Sequence, residues 1–211
     1  MNKLNKLVIA CDGESASGKS TAAKQISKKY KLVLINSGLL YRYASKLIIE
    51  HKPKNLLTFL SKKFKKVSYK KISSQNLHSE KISNHVAFLA KDKEIRKVIN
   101  IFQKKIIRNN KRICVEGRDI ASKILSKNPK YDLAFYFKCN LNTASYRRWI
   151  DIKKKVKLTD VKKSLRIRTL MDKKRKNSPL IKVKDAILIR TDKLSKKQVL
   201  LKMSKYVDQL C

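Results

Sequence analysis

An α/β fold is predicted: a doubly wound, five-stranded parallel sheet with a phosphate-binding loop, a helical lid and a small insertion. Three observations predict it. Gly13-Glu14-Ser15-Ala16-Ser17-Gly18-Lys19-Ser20 fits the pattern G-x-x-x-x-G-K-[ST], and it lies between a short apolar run and a helical stretch, the context that gives the pattern meaning. Four further short apolar runs alternate with helical stretches, the order expected of a sheet with crossover helices. Hydrophobic residues make up 42% of the 211 residues, enough for the core of one medium domain.

Leu7 to Asp12 is a run suited to a strand buried on both faces. Gly13 and Gly18 let the chain turn so that successive N–H groups converge on an anion, and the helix beginning near Thr21 adds a partial positive charge. Lys19 can reach the outer phosphates of a nucleotide, and the Ser20 hydroxyl can ligate Mg²⁺. Lys31 to Asn36 is the second strand. It ends in Ser37-Gly38, and a helix follows to about Glu50. Ligands of doubly wound sheets sit beyond the C-terminal strand ends, which puts Asn36, Ser37, Tyr41 and Arg42 beside the loop.

Leu56 to Phe64 reads as a short amphipathic helix, and Val67–Ile72 with Asn76–Ile82 alternate like a small hairpin. Helical periodicity returns from Ser83 to about Asn109, with Ile95, Val98, Ile99, Phe102, Ile106 and Ile107 in one apolar stripe. Arg96 lies off that stripe, either as a solvated helix charge or as a functional one. Arg112 to Glu116 is the third strand and ends in Gly117-Arg118-Asp119. A carboxylate at this strand end, Glu116, can hold water around Mg²⁺. Asp132 to Phe137 is the fourth strand. Asn142 or Thr143 caps the next helix, whose Leu141, Ala144, Tyr146 and Ile150 form a packing stripe.

Asp160 to Asn177 is a cationic helix-like segment ended by Ser178-Pro179. Arg168, Asp172 and Arg175 fall at i, i+4 and i+7 on one face. That face is either a solvated set of ion pairs or part of a mobile lid that lowers arginines onto phosphates. Ala186 to Ile189 is the fifth strand, and Lys196 to Leu210 closes the chain.

The net charge is +39, with lysine outnumbering arginine by roughly four to one. The lysines are spread along the chain, as an AT-rich coding sequence would leave them, so no specific nucleic-acid partner is expected. In such a composition the arginines mark sites where a planar, bidentate fork is needed. There are eleven: 42, 96, 108, 112, 118, 147, 148, 166, 168, 175 and 190. Cys11, Cys114, Cys139 and Cys211 show no metal-ligand spacing, and His51, His78 and His85 are scattered. No run approaches the roughly 18 apolar residues of a membrane helix. Met1 to Lys6 leads straight into the first strand, without room for a signal peptide. A cytoplasmic protein with no membrane partner is expected.

The loop alone says nucleotide, not reaction. A hydroxyl acceptor usually requires a carboxylate base, whereas a nucleoside monophosphate, already ionised near neutral pH, requires cations that bring two phosphates together. This chain has Lys19 and several arginines near strand ends, with Asp119 as a base or a ribose reader, and it leans toward a nucleoside monophosphate kinase. A kinase for UMP or a hydroxyl metabolite, and a basic nucleic-acid-binding ATPase, are the alternatives.

Asp12-Gly13 through Ser20-Thr21, Asn36-Ser37-Gly38-Leu39-Leu40-Tyr41-Arg42 and Glu116-Gly117-Arg118-Asp119 together resemble bacterial cytidylate kinases. That family carries D-S-G-x-x-Y-R after the second strand and D-G-R-D after the third. Arg168-x-x-x-Asp172-x-x-Arg175, followed by Pro179-Leu180, resembles its lid, and Asp185-Ala186-Ile187 with Leu194 its last strand and helix. The resemblance implies transfer of phosphate from ATP to CMP or dCMP, with Mg²⁺, by a monomer of one P-loop kinase domain. Its NMP-binding insertion would span about 37–110 and its lid about 155–180. By position, Gly13, Glu14, Ser15, Ala16, Ser17, Gly18, Lys19, Ser20 and Thr21 would hold the ATP phosphates. Arg42, Arg118 and Arg168 would grip the acceptor phosphate, and Arg96 and Asp119 would read the cytosine edge. Asp172 and Arg175 would reach the acceptor's sugar and phosphates from the lid, and Ser37 lies in the acceptor motif. Lys19, Arg118, Arg168 and Arg175 would be catalytic, Ser20 a direct Mg²⁺ ligand, and Glu116 a carboxylate behind the ion's water. Asn36 and Glu116 stand where the family usually has Asp, Ser20 where many members have Gly, and Met171 and Lys173 where further lid arginines are frequent. Asn84 is a candidate second base reader.

Overall fold

The protein was analysed as a computed structural model that describes residues 5–210, without the side chains of residues 80 and 84, so Asn84 and Cys211 fall outside the described set. The five apolar runs form β1 (Leu7–Gly13), β2 (Val33–Asn36), β3 (Arg112–Gly117), β4 (Leu133–Lys138) and β5 (Ile187–Arg190). They make one sheet in the order β2-β3-β1-β4-β5. β1 runs parallel to β3 on one side and to β4 on the other, with Cys11 opposite Glu116 and Gly13 opposite Phe137. All seven residues of β1 are buried, which is why it reads as a continuous apolar run. The chain reverses direction across the sheet at β1, so the crevice beyond its C-terminal end is the place for a ligand.

The α-helices among the described residues are α1 (Lys19–Lys29), α2 (Ser37–His51), α3 (Leu56–Lys66), α4 (Tyr69–Ser73), α5 (Glu80–Leu89), α6 (Lys93–Arg108), α7 (Leu141–Asp151), α8 (Leu158–Lys174) and α9 (Lys196–Asp208), and Ile120–Ile124 is a short π-helix. Residues up to Ile35 and from Asn110 onward form one compact unit, and Asn36–Asn109 forms another.

In the sheet-bearing unit, Ala22, Ala23 and Ile26 of α1 and Val199, Met203 and Val207 of α9 pack with Leu7, Ile9, Phe135 and Phe137. α9 starts with a capping box, the Ser195 hydroxyl accepting from the Gln198 amide and the Gln198 side chain from the Ser195 amide. The Sγ atoms of Cys11 and Cys114 lie 3.8 Å apart on neighbouring strands. This contact, together with burial, pushes the Cys11 thiol well up, so it behaves as a core hydrophobe. α7 and α8 share a small cluster of Ala144, Val161 and Leu165. The stripe expected on α7 is only partly packed, because Tyr146 is 55% and Ile150 44% exposed. Its cap is Asn140, which accepts from the Thr143 amide at 2.8 Å, rather than Asn142 or Thr143.

In the other unit the expected hairpin is absent: Tyr69–Ser73 and Glu80–Leu89 are helices. Ser68 and Ser79 cap them, accepting from the amides of Lys71 and Ile82. Tyr69 and Ile72 are three residues apart, and Ile82, Val86 and Leu89 follow at i, i+4 and i+7. These positions meet on helix faces, and Ile72 and Leu89 are buried in one cluster with Leu40, Leu60 and Ile99. Such short runs satisfy both periodicities, and the core they face decides between them. The helical stretch expected from Ser83 to Asn109 is two helices, broken where the Asp92 carboxylate accepts from the Glu94 and Ile95 amides.

Candidate active site

The phosphate loop follows from close packing at its two glycines. A Cβ on Gly13 would lie 2.4 Å from the Phe137 carbonyl oxygen on β4, so only glycine fits there. Gly18 caps α1 at φ 78°, a left-handed conformation that glycine adopts without strain. Between them the Glu14 carbonyl accepts from the Ser17 hydroxyl at 2.9 Å. The Thr191 hydroxyl, just past β5, donates to the Ser17 carbonyl at 2.9 Å. Arg147 donates in turn to the Thr191 carbonyl at 2.8 Å. Neither Thr191 nor Arg147 stood out as a support of the loop in the sequence.

Lys19 is 7% exposed, and its Nζ lies 2.9 Å from Glu116 Oε2. Ser20 Oγ donates to the same oxygen at 2.6 Å. A hydroxyl and a carboxylate side by side are the hard oxygen donors Mg²⁺ prefers, and this ion usually completes its shell with water and substrate phosphates. The donor set therefore fits a nucleotide-borne Mg²⁺.

Asp12, also overlooked in the sequence, anchors the segment that carries Arg118 and Asp119. Its two carboxylate oxygens accept from the amides of Ile120 and Ala121, each at 2.8 Å. Burial pushes its pKa up to about 6 against those hydrogen bonds. The sign follows from linkage. An acid that holds its proton more tightly when folded stabilises the fold most below its unfolded pKa, 3.8, and that contribution is lost as the pH rises through about 6. The loss is at most about 3 kcal/mol. Urea unfolding between pH 4 and 7 is expected to show stability falling in the wild type relative to Asp12→Asn. A difference that stays constant over this range would refute the assignment.

Arginines and carboxylates chain the lid to the strand ends. Arg118 Nε lies 2.9 Å from Asp172 Oδ2. Arg175 lies 3.4 Å from both Asp172 and Asp119, with its side chain only 5% exposed. Arg175 stands just past the end of α8, at φ −63° and ψ 136°. It therefore does not share a helix face with Arg168 and Asp172, as the spacing predicts; it meets Asp172 by leaving the helix, which ends at Lys174 rather than at Asn177. Arg168 lies one turn before Asp172 on α8. Lys173 Nζ contacts Glu14 Oε1 at 2.7 Å, linking α8 to the loop. Tyr136, on β4 beside the loop, has its hydroxyl pushed up to about 12, first by burial and then by Glu14 and Asp12.

The acceptor residues expected in the helical unit are also placed by specific partners. The Ser37 hydroxyl donates to Gln103 Oε1 at 2.5 Å. Arg42 donates to the Leu77 carbonyl at 3.1 Å and the Ser83 hydroxyl at 2.8 Å. Arg96 is 4% exposed, with its guanidinium 5.5 Å from the Tyr41 ring centroid and a hydrogen bond to the Ala90 carbonyl. The solvated alternative for Arg96 is thereby removed. Asn36 caps α2, its side chain accepting from the Leu39 amide at 3.2 Å.

Among solved structures, a protein from Eubacterium ventriosum matches with a TM-score of 0.58 at 17% identity, covering 97% of this chain and 99% of that one. Shikimate kinase from Bacteroides thetaiotaomicron matches with a TM-score of 0.52 at 8% identity, covering 96% and 98%. At these identities the likeness shows the fold alone, a parallel α/β domain with its phosphate loop after β1. The cytidylate kinase family model matches residues 9–209, and the chain belongs to that family. Cytidylate kinase of Mesomycoplasma hyopneumoniae is 30% identical over 222 residues, covering 96% of this chain and 93% of its own. Cytidylate kinase of Alkaliphilus oremlandii is 29% identical over 203 residues, covering 89% and 91%. The bifunctional pantoate ligase/cytidylate kinase of Prochlorococcus marinus is 34% identical over 212 residues, covering 91% of this chain and 41% of its own. ATP-dependent phosphorylation of CMP is the activity that goes with the family.

Proposed function

We propose that the chain transfers the γ-phosphoryl group of ATP to the phosphate of CMP or dCMP, giving ADP and the nucleoside diphosphate. The observation that carries this reading is the engagement of the carboxylates at the strand ends. Asp119 is paired with Arg175, and Asp172 with Arg118 and Arg175, so both carboxylates are engaged by arginines rather than waiting as a general base. A phosphate acceptor is already ionised and needs no base. One of its oxygens attacks the γ-phosphorus in line, a P–O bond forms, and the bond to the bridging oxygen of ADP breaks.

The loop from Gly13 to Thr21 binds the donor phosphates, through amides other than that of Glu14, which donates to the Phe137 carbonyl, and Lys19 neutralises charge developing on the bridging and transferred oxygens. Arg118, Arg168 and Arg175 act on the phosphates and, with Asp172, close the lid over them, excluding water. Ser20 would ligate Mg²⁺ and Glu116 would hold the ion's water, and the ion would supply charge neutralisation between the phosphates. Ser37, Arg42 and Arg96 are the acceptor contacts of unit Asn36–Asn109, which corresponds to the NMP-binding insertion. Asp119 accepts from the cytosine amino group. No helix among the described residues is long and apolar enough to cross a membrane. A cytoplasmic monomer is the working form in this reading.

The test is ADP production with CMP, dCMP, UMP, AMP and GMP, each with and without RNA. Turnover that depends on CMP and dCMP is the expected result. Turnover that requires RNA alone, or that favours UMP, would overturn the proposal.

A further inference from the structure

Glu14 is the single acidic residue of the loop from Gly13 to Thr21. It is out of place electrostatically, since a loop that turns N–H groups toward an anion gains nothing from a nearby carboxylate. Its backbone serves the loop without help from the side chain. The amide donates to the Phe137 carbonyl at 3.1 Å, and the carbonyl accepts from the Ser17 hydroxyl at 2.9 Å. The side chain does something separate. It is 12% exposed and takes Lys173 of the lid helix at 2.7 Å, while Lys173 is 43% exposed. The two residues are 159 positions apart, so the pair joins α8 directly to the loop.

We propose that Glu14 and Lys173 form an exchangeable latch: Glu14 holds Lys173 at the loop before ATP binds, and the triphosphate then takes the lysine in its place. The inference rests on the reading of this loop as the ATP site. A triphosphate carries more charge than one carboxylate and arrives within reach of the same ammonium, so it competes for that group from the side the loop amides face. Glu14 is thus a positioning residue that loads the lid with its lysine and, in doing so, weakens ATP binding. The lid's lysine is released to the phosphates only when they are present, which ties lid rearrangement to the donor nucleotide rather than to the acceptor.

The experiment measures the ATP dissociation constant by titration calorimetry, with Mg²⁺, for wild type, Glu14→Gln, Lys173→Met and the double variant. Thermal unfolding of each checks that the fold is kept. Glu14→Gln is expected to tighten ATP binding about three- to tenfold, with the KM for CMP unchanged, and Lys173→Met to weaken ATP binding. The gain from Glu14→Gln should shrink when Lys173 is already Met, because the pair that ATP must break is gone. A larger gain in that background would mean that the lysine stays on Glu14 when ATP binds, and would overturn the exchange. Unchanged or weaker binding by Glu14→Gln would overturn the latch as well. Lys19→Ala serves as the reference. If it loses ATP affinity while Glu14→Gln changes nothing, the latch falls and the loop assignment stands. If it binds ATP like wild type, the loop assignment falls and takes the latch with it.

Discussion

Replacing Lys19 by Ala is expected to lower kcat for CMP phosphorylation about 10²- to 10³-fold, the loss typical of removing one preorganised group that meets charge developing in a transition state. The structure adds a complication that the motif does not show. Lys19 is also the partner of Glu116, which is 2% exposed, and removing one member of a buried pair strands the other. The cost of such a change is about 3–5 kcal/mol, moderated here because Ser20 still donates to Glu116. Lost activity in Lys19→Ala could then come from lost structure. The double variant Lys19→Met with Glu116→Gln, compared with Glu116→Gln alone because Glu116 also serves the Mg²⁺ site, separates the two, since it removes both charges and keeps the volume. Urea unfolding should show stability restored toward wild type in the double variant, while a coupled assay of ADP release at saturating CMP stays at the low rate. Recovery of turnover together with stability would mean that Lys19 acts on the fold rather than on the phosphates.

The parts of the molecule legible in the sequence are those set by local chemistry. The central strands read correctly because burial on both faces leaves unbroken apolar runs, as in β1, where every residue is buried, whereas the edge strands β2 and β5 are partly exposed and read from their apolar residues alone. The loop read correctly because Gly13 and Gly18 occupy positions where a side chain would collide with Phe137 or force a left-handed residue to carry one. The hairpin expected at 67–82 failed where two periodicities overlap. Val67 and Tyr69 alternate as on one strand face while Tyr69 and Ile72 share a helix face, and the caps Ser68 and Ser79 were the better signal.

Long-range partners were not legible at all. Arg96 looks solvated on its own helix, yet the Tyr41 ring, 55 positions earlier, and the Ala90 carbonyl enclose it. The roles of Asp12 and Thr191, and the pairing of Glu14 with Lys173, likewise depend on which strand ends the topology brings together. Among the matched arginines, 42, 96, 118 and 175 each hold a specific carbonyl, hydroxyl, ring or carboxylate.

Asp119→Ala is expected to reduce the preference for CMP over UMP, taken as the ratio of their kcat/KM values, by about 10- to 100-fold. A group that hydrogen-bonds a base edge discriminates strongly, because the wrong base leaves it unpaired. Cytosine offers an amino group where uracil offers a carbonyl, so an ionised Asp119 favours the first and repels the second. The structure gives Asp119 a second possible role that predicts a different outcome. Its carboxylate lies 3.4 Å from Arg175, which in turn holds Asp172. If that pairing is its whole contribution, the substitution loosens the lid arginine, and CMP and UMP lose turnover equally, since both present the same phosphate to Arg175. Arg175→Lys is the companion variant. It keeps the charge but loses the fork, so it should depress both substrates by a similar factor and leave their ratio unchanged. The two variants therefore move different quantities, Asp119→Ala the ratio and Arg175→Lys the common rate. If Asp119→Ala moves only the common rate, base reading must be assigned to other residues, with Arg96 the first to test.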